Sequence, residues 1–476
     1  MRIRRVNTLL HPDRLFASDP VQREIARKLY ATTRDLPLIC PHGHTDPAWF
    51  AEDELFPDPV ELLLLPDHYL LRMLYSQGVA LEDIGLEPRR AGGARPETNR
   101  RTAWRRFAER YYLFRGTPSS LWLDWVFQEV FELDRPLTAD TADLYFDRMS
   151  ERLAQDAFRP RALYERFNIE VISTTDGPLD SLEHHQKIKD DDWAGRVVPC
   201  FRPDDCLDPR RQDYRDNIRR LGEITGEDTT TYPGYLAALR ARRAFFKSLG
   251  ATSTDHGHPS SETFALDRTH AARLFTKTLN EELTGGEADL FRGHMLLEMA
   301  RMSLDDGLVM QLHPGSFRNH NPDLFTRFGR DKGADIPVRM EFTRNLKPLL
   351  DEVGNEKNFT LILFTLDETT YARELAPLAG HYPALKLGPS WWFHDSPEGM
   401  RRFREQITET AGFYNTVGFN DDTRAYFSIP ARHDLARRMD ANFLARLVAE
   451  HRLREDEAHE VARDLAYNLA KQAYKL

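Results

Sequence analysis

Eight times along the chain, a short apolar run ends in polar residues and gives way to a stretch with helical spacing. The runs are "PLICPHGH" (Pro37–His44), "IEVISTTD" (Ile169–Asp176), "RVVPCFRPD" (Arg196–Asp204) and "ATSTDHGH" (Ala251–His258). They continue with "GLVMQLHPG" (Gly307–Gly315), "FTLILFTLDE" (Phe359–Glu368), "ALKLGPSWW" (Ala384–Trp392) and "NTVGFNDDTR" (Asn415–Arg424). Each is short and rich in aliphatic or β-branched residues, as parallel strands buried on both faces are. Segments such as "EADLFRGHMLLEMARMSL" and "EGMRRFREQITETAGFY" carry apolar residues at helical spacing between them. Strand then helix, eight times over, predicts an α/β fold of the (β/α)₈ TIM-barrel type. An open doubly wound sheet shares the alternation, but the count of eight favours the barrel.

The alternation is interrupted once. From Thr45 to Asn168 the pattern holds only helical stretches, among them "HYLLRMLYSQG" and "SSLWLDWVFQEVFEL". We expect three parts: an N-terminal segment with the first strand (1–44), an all-α insertion (45–168), and the rest of the barrel with C-terminal helices (169–476). An insertion after the first strand lies on the active-site side of such a barrel, where it caps the site.

Composition narrows the setting. The 476 residues are 41% hydrophobic, enough for a large core, and the net charge is −10. That balance argues against a nucleic-acid or anionic-membrane partner, while a local arginine cluster still admits a small anionic substrate. Three cysteines, with no Cys-x-x-Cys, give no disulfide framework and suit a reducing cytoplasm. The basic N-terminus has no apolar core behind it and is not read as a signal peptide; "LLLLP" is too short to span a bilayer. The exposed insertion offers a contact surface for a homo-oligomer.

The candidate chemistry sits at the ends of the runs, where barrel enzymes carry their sites. His42 and His44 alternate along extended backbone, so both rings project to one side. Alone, His-x-His is either half a metal site or a polar turn. Asp421 and Asp422, from the run that neighbours the first in a closed barrel, would complete a two-His, one-carboxylate site with open positions. His256 and His313 are each a further ligand, a hydrogen-bond partner behind one, or a packed ring. His258 is read as capping a turn before Pro259. Arg202, Arg318 and Arg424 converge on the same mouth; a guanidinium fork binds carboxylate bidentately, although most arginines simply pair with nearby acids. Of Trp391 and Trp392, one is expected in the core and the other as an apolar wall.

Walker, G-x-G-x-x-G, G-x-S-x-G and H-E-x-x-H motifs do not occur. What does occur is an ordered set of longer matches: "HGH" (42–44), "DHYLLRMLYSQGV" (67–79), "GTPSSLWLDW" (116–125), "TTDGPLDSLEHH" (174–185), "FRPD" (201–204), "HPGSFRNHN" (313–321), "GPSWWFHD" (388–395) and "DDTR" (421–424). With these the chain resembles the uronate isomerases (glucuronate isomerase family) of the amidohydrolase superfamily over nearly its whole length, least so from Glu87 to Phe114. It departs from the family at "HTDP" and at His394.

The resemblance implies one divalent metal, usually zinc with manganese or others admitted, on His42, His44 and Asp422. It implies Arg202 on a substrate carboxylate, His68, Trp391 and Trp392 with His313 and Arg318 around the substrate, and Asp422, Tyr69 and Arg424 moving protons. The implied reaction is aldose–ketose isomerisation of D-glucuronate to D-fructuronate, and of D-galacturonate to D-tagaturonate, through a cis-enediol. A metal-dependent hydrolase or decarboxylase would use the same metal ligands but does not need the arginines together with His68 and Tyr69; a non-catalytic barrel that binds sugar acids or partner proteins is disfavoured by the presence of every proposed ligand.

Overall fold

The computed structural model describes residues 9–89 and 95–476. The first residues of the basic N-terminus, and residues 90–94 within the stretch least like the family, lie outside them. The described chain is an α/β fold. Its strands are β1 (Leu38–Cys40), β2 (Ile169–Ser173), β3 (Val197–Val198), β4 (Ser253–His256), β5 (Val309–Leu312), β6 (Ser316–Phe317), β7 (Ile336–Pro337), β8 (Leu361–Leu363) and β9 (Leu385–Leu387).

β1, β2 and β3 pair in parallel in that order, as do β4, β5, β8 and β9. Single parallel bridges link the two groups, from Phe201 to Asp176 on one side and to Thr254 on the other. Seven of the eight apolar runs therefore contain a strand. The eighth is a correction: among the described residues it makes only one bridge, Thr416 to Leu387. Gly418, at φ +75°, takes the backbone out of the extended region two residues later. The run nonetheless lies beside the first, because the His44 N–H donates to the Thr423 carbonyl at 3.0 Å. The sequence pattern also missed β6 and β7, an antiparallel pair too short to carry a period.

Alternation along the strands sorts side chains between two apolar environments. Leu38 and Cys40 face helices, whereas Ile39 joins Val171 and Val198 on the inner side. Leu361 and Leu363 likewise face helices, and Ile362 joins Val309 and Val417. The last helix, Leu469–Ala473, closes the inner side. Ala470 packs on Ile39, Val171 and Val198, while the buried Tyr474 ring packs with Val309, Ile362 and Val417 and donates to Gln311 Oε1 at 2.9 Å.

Between Cys40 and Ile169 the described residues hold helices and no strand. Trp104, Phe107, Phe127 and Tyr145 form their core, which is continuous with β1, β2 and the helix Ile429–Ala449. Phe131 stacks on Phe427 with ring centres 5.6 Å apart. No described helix is long and apolar enough to cross a membrane.

Tyr474 separates packing from hydrogen bonding. Tyr474→Ala should lower unfolding free energy by about 3–5 kcal/mol, as large aromatic deletions do. Tyr474→Phe should cost only about 1 kcal/mol for the lost hydrogen bond. Denaturant unfolding checks both, and equal losses for the two variants would contradict the packing role.

Candidate active site

At the ends of the parallel strands lies an open cavity of about 700 Å³. Eleven of the side chains singled out from the sequence line it, while Asp421, His256 and His258 do not. His42 and His44 stand just beyond β1 with their rings edge to face, 5.4 Å apart. Their Nε2 atoms lie 3.5 and 3.2 Å from the same oxygen, Asp422 Oδ1. The choice between neighbouring aspartates is thereby made. Asp421 turns away, with its Oδ2 3.1 Å from His433 Nε2 beside Cys40.

Asp422 is held with care. Its φ is +34°, an unusual value for a residue with a side chain, and such strain persists only where the surroundings impose it. The Trp391 indole N–H donates to Oδ2, while buried Oδ1 has no hydrogen-bond partner. Burial opposes ionisation, yet the imidazoles of His42, His44 and His313 hold the carboxyl well below its usual range. Burial also pushes the His44 imidazole down, toward the neutral form that ligates a cation. Two imidazoles around an unpaired buried carboxylate oxygen fit a divalent ion in chemistry and in placement.

His313 lies behind His42, stacked on it at 4.8 Å and on Phe364 at 4.0 Å. Its Nδ1 is 2.6 Å from Asp255 Oδ1. Trp391 is buried in this layer, and Trp392 forms the outer wall. Trp392 also has positive φ, +51°, and its carbonyl accepts from the Tyr69 hydroxyl at 3.2 Å. The two tryptophans divide as the sequence suggested.

His68 and Tyr69 begin the helix His68–Ser76, capped by Asp67, whose Oδ1 accepts from the Tyr69 N–H at 2.8 Å. The cap turns both rings into the cavity, where His68 meets Trp392 edge-on at 5.5 Å. Burial, helped by the Arg424 charge, brings the His68 imidazole down to about 3. Burial raises the Tyr69 phenol well above its usual range, so it stays protonated.

Each predicted arginine faces the cavity and also has an acidic partner. Arg202 Nε donates to Asp204 Oδ2 at 2.9 Å, and its Nη1 lies 3.0 Å from Asp255 Oδ2. A Cβ on Gly257 would fall 2.0 Å from Arg202 Nη2, so a larger residue there would displace the guanidinium. Arg318 pairs with Asp335 at 3.0 Å and lies 4.8 Å over the Trp392 ring. Arg424 pairs with Asp331 at 3.0 Å.

Sequence reasoning missed those acids and Arg432. Asp255 precedes His256 in "TDHGH", where the histidines drew the reading. Arg432 comes from the helix Ile429–Ala449, which carried no motif; it pairs with Asp395 and lies 3.7 Å over the Trp122 ring, against which Tyr69 packs. His258 is a correction. It is buried, and its Nε2 has no hydrogen-bond partner, so it does not cap the turn. His256 is wholly buried outside the cavity lining, 3.2 Å from the Thr254 hydroxyl.

Comparison with known proteins identifies the family. The family model described as glucuronate isomerase matches residues 16–474. A uronate isomerase of Sphingopyxis alaskensis is 63% identical over 471 residues, covering 98% of this chain and 99% of that one. One from Phenylobacterium zucineum is 64% identical over 467 residues, covering 98% and 97%. The crystal structure of glucuronate isomerase from Caulobacter crescentus superposes with a TM-score of 0.96 at 59% identity, covering 98% of this chain and 97% of that one. A family model spanning almost the full length and relatives above 60% identity lead to one assignment: the chain belongs to the glucuronate isomerase family.

Proposed function

We propose that this protein is a uronate isomerase that interconverts D-glucuronate and D-fructuronate, and D-galacturonate and D-tagaturonate. The observation that carries the proposal is the convergence in one cavity of an ionised carboxylate with one oxygen free of hydrogen bonds, a protonated phenol and three guanidinium groups. Aldose–ketose isomerisation moves the C2 proton to C1 and a proton from O2 to O1, by way of an enediol. It needs a base at carbon, donors at the two oxygens and an anchor for the distant carboxylate.

Asp422 is the base. Its Oδ1 faces the cavity without a hydrogen bond, and Trp391 fixes the other oxygen, so the lone pair is aimed before substrate arrives. The Tyr69 hydroxyl and the Arg424 guanidinium serve the two oxygens, the first as proton donor and the second as a fixed positive charge on the developing enediolate. His68, neutral over the working pH range, hydrogen-bonds sugar hydroxyls without adding charge. Arg202 and Arg318 hold the substrate carboxylate, and Trp392 provides an apolar face for the ring. His313 supports His42 from behind.

His42, His44 and Asp422 hold one divalent metal, zinc or alternatively manganese, which when bound orients sugar oxygens and adds positive charge. A metal-dependent hydrolase would need only that part of the site; the arginines with His68 and Tyr69 favour the isomerase.

On this reading the parallel runs close as a (β/α)₈ barrel. The Phe201 bridges, the His44–Thr423 hydrogen bond and the shared packing of Ala470 and Tyr474 support it. Residues 45–168 are then a helical insertion whose helix His68–Ser76 supplies the site's cap. Three free, buried cysteines suit a cytoplasmic setting, and the insertion is the face we assign to homo-oligomer contact.

Glucuronate incubated with the metal-loaded protein should yield a ketose by NMR. Asp422→Asn should reduce turnover by about 10²–10⁴-fold, the range for a positioned base; near-normal turnover would remove Asp422 from that role. Trp391→Phe keeps the packing but frees Asp422 Oδ2. It should lower kcat by about 10–100-fold, as lost support behind a ligand does; an unchanged kcat would contradict the positioning role.

A further inference from the structure

The tripeptide His-Gly-His occurs twice: at 42–44, after β1, and at 256–258, at the end of β4. Around the first, a carboxylate from a neighbouring run lies beside both imidazoles. The second is built the same way. Asp204, from the end of the adjacent third run, brings its Oδ1 to 3.8 Å from His258 Nε2, and one ligand atom from each of Asp204, His256 and His258 lies within 4.8 Å of the others.

That spacing is too long for hydrogen bonds, and none is made. Asp204 Oδ1, His256 Nδ1 and His258 Nε2 are all buried atoms with no hydrogen-bond partner. Side chains of His256 and His258 are more than nine-tenths buried. Leaving buried polar groups unpaired is costly, so such a group of three calls for an occupant. Asp204 is meanwhile fixed by its other oxygen, which accepts from Arg202 Nε and the Gly257 N–H, both at 2.9 Å. The imidazoles are chemically ready, since burial pushes both down toward the neutral form.

We propose that Asp204, His256 and His258 form a second divalent-cation site, of the nitrogen–oxygen class that takes zinc, behind the Arg202 guanidinium. Tetrahedral ligand atoms about 2.0–2.1 Å from an ion lie about 3.3–3.4 Å apart, so the 3.8 Å pair must close by about half an ångström and the other pairs, all within 4.8 Å, by at most about 1.5 Å. His258 and Asp204 line a second opening of about 1620 Å³ that shares Arg202 and His44 with the first cavity, which gives the ion a route in.

The site also answers a question of charge. Arg202 is flanked by two carboxylates, Asp204 and Asp255, so the three together carry a net −1 and would repel an approaching anion. A divalent ion on Asp204 makes the group net positive, and Arg202 then receives an anion without first losing a partner. The ion's role is to set the charge behind the anchor; the site stands independently of which sugar acid is used or whether it is isomerised.

Metal content tests this on the full chain, loaded with Zn²⁺ alone and desalted. Wild type should retain about two zinc ions per chain, His258→Gln about one, and His42→Ala about one; the double variant should retain almost none. A single zinc that His42→Ala removes and His258→Gln leaves would overturn the proposal. So would a second zinc that survives His258→Gln. Should His258→Gln fail to fold, Co²⁺ titration of His42→Ala decides alone: about one equivalent with visible ligand-field absorption is expected, and no bound Co²⁺ overturns the site.

Discussion

The architecture of the site depends on one carboxylate oxygen. Asp422 Oδ1 lies within 3.5 Å of both His42 and His44, and those rings come from the opposite end of the chain. Contact between residues nearly four hundred positions apart requires the first and last runs to be neighbours. The His44–Thr423 backbone hydrogen bond secures that adjacency, and the positive φ of Asp422 turns the carboxylate inward. Such backbone strain is tolerable because Trp391 and the imidazoles pin the side chain from three directions. The layer behind follows from the same constraint. His313 stacks on His42, Phe364 stacks on His313, and Trp391 closes the edge.

Around this centre the electrostatics are local. The chain as a whole carries −10, yet the cavity presents Arg202, Arg318 and Arg424. Each is held by an aspartate at about 3.0 Å. Pairing orients the guanidinium groups before a ligand binds; Arg318 and Arg424 are themselves partly open to solvent. The acids also temper the field, so that the mouth is not simply a sink for any anion. A uronate brings a carboxylate at one end and a reactive carbonyl at the other. Three separate arginines on one cavity suit that division of labour.

Much of this was legible in the sequence, for identifiable reasons. Short aliphatic and β-branched runs marked seven strands, because strands buried on both faces admit few other residues. The His42–His44 spacing announced a shared side. The eighth run misled: its apolar residues promised a strand, and Gly418 redirected it. Residue type alone left Asp421 and Asp422 open and only the family resemblance named Asp422, because which one faces inward is set by a backbone angle that residue type does not encode. Asp255, Asp331 and Asp335 were invisible as partners because each becomes one only through a contact across the fold. Arg432 lay in a helix whose apolar spacing gave no hint that a guanidinium would stack on Trp122 and support Tyr69. His258 shows the opposite error, a residue assigned to a turn by its neighbour Pro259 and found buried with a free nitrogen.

The central claim is that this cavity moves a proton from C2 to C1 of a uronate through an enediol. Following metal-loaded protein with glucuronate in D₂O by NMR tests it most directly. The account predicts conversion to a ketose, and any deuterium at its C1 marks exchange of the proton held by the base while the enediol exists. No ketose at high protein concentration, with metal supplied, would contradict it.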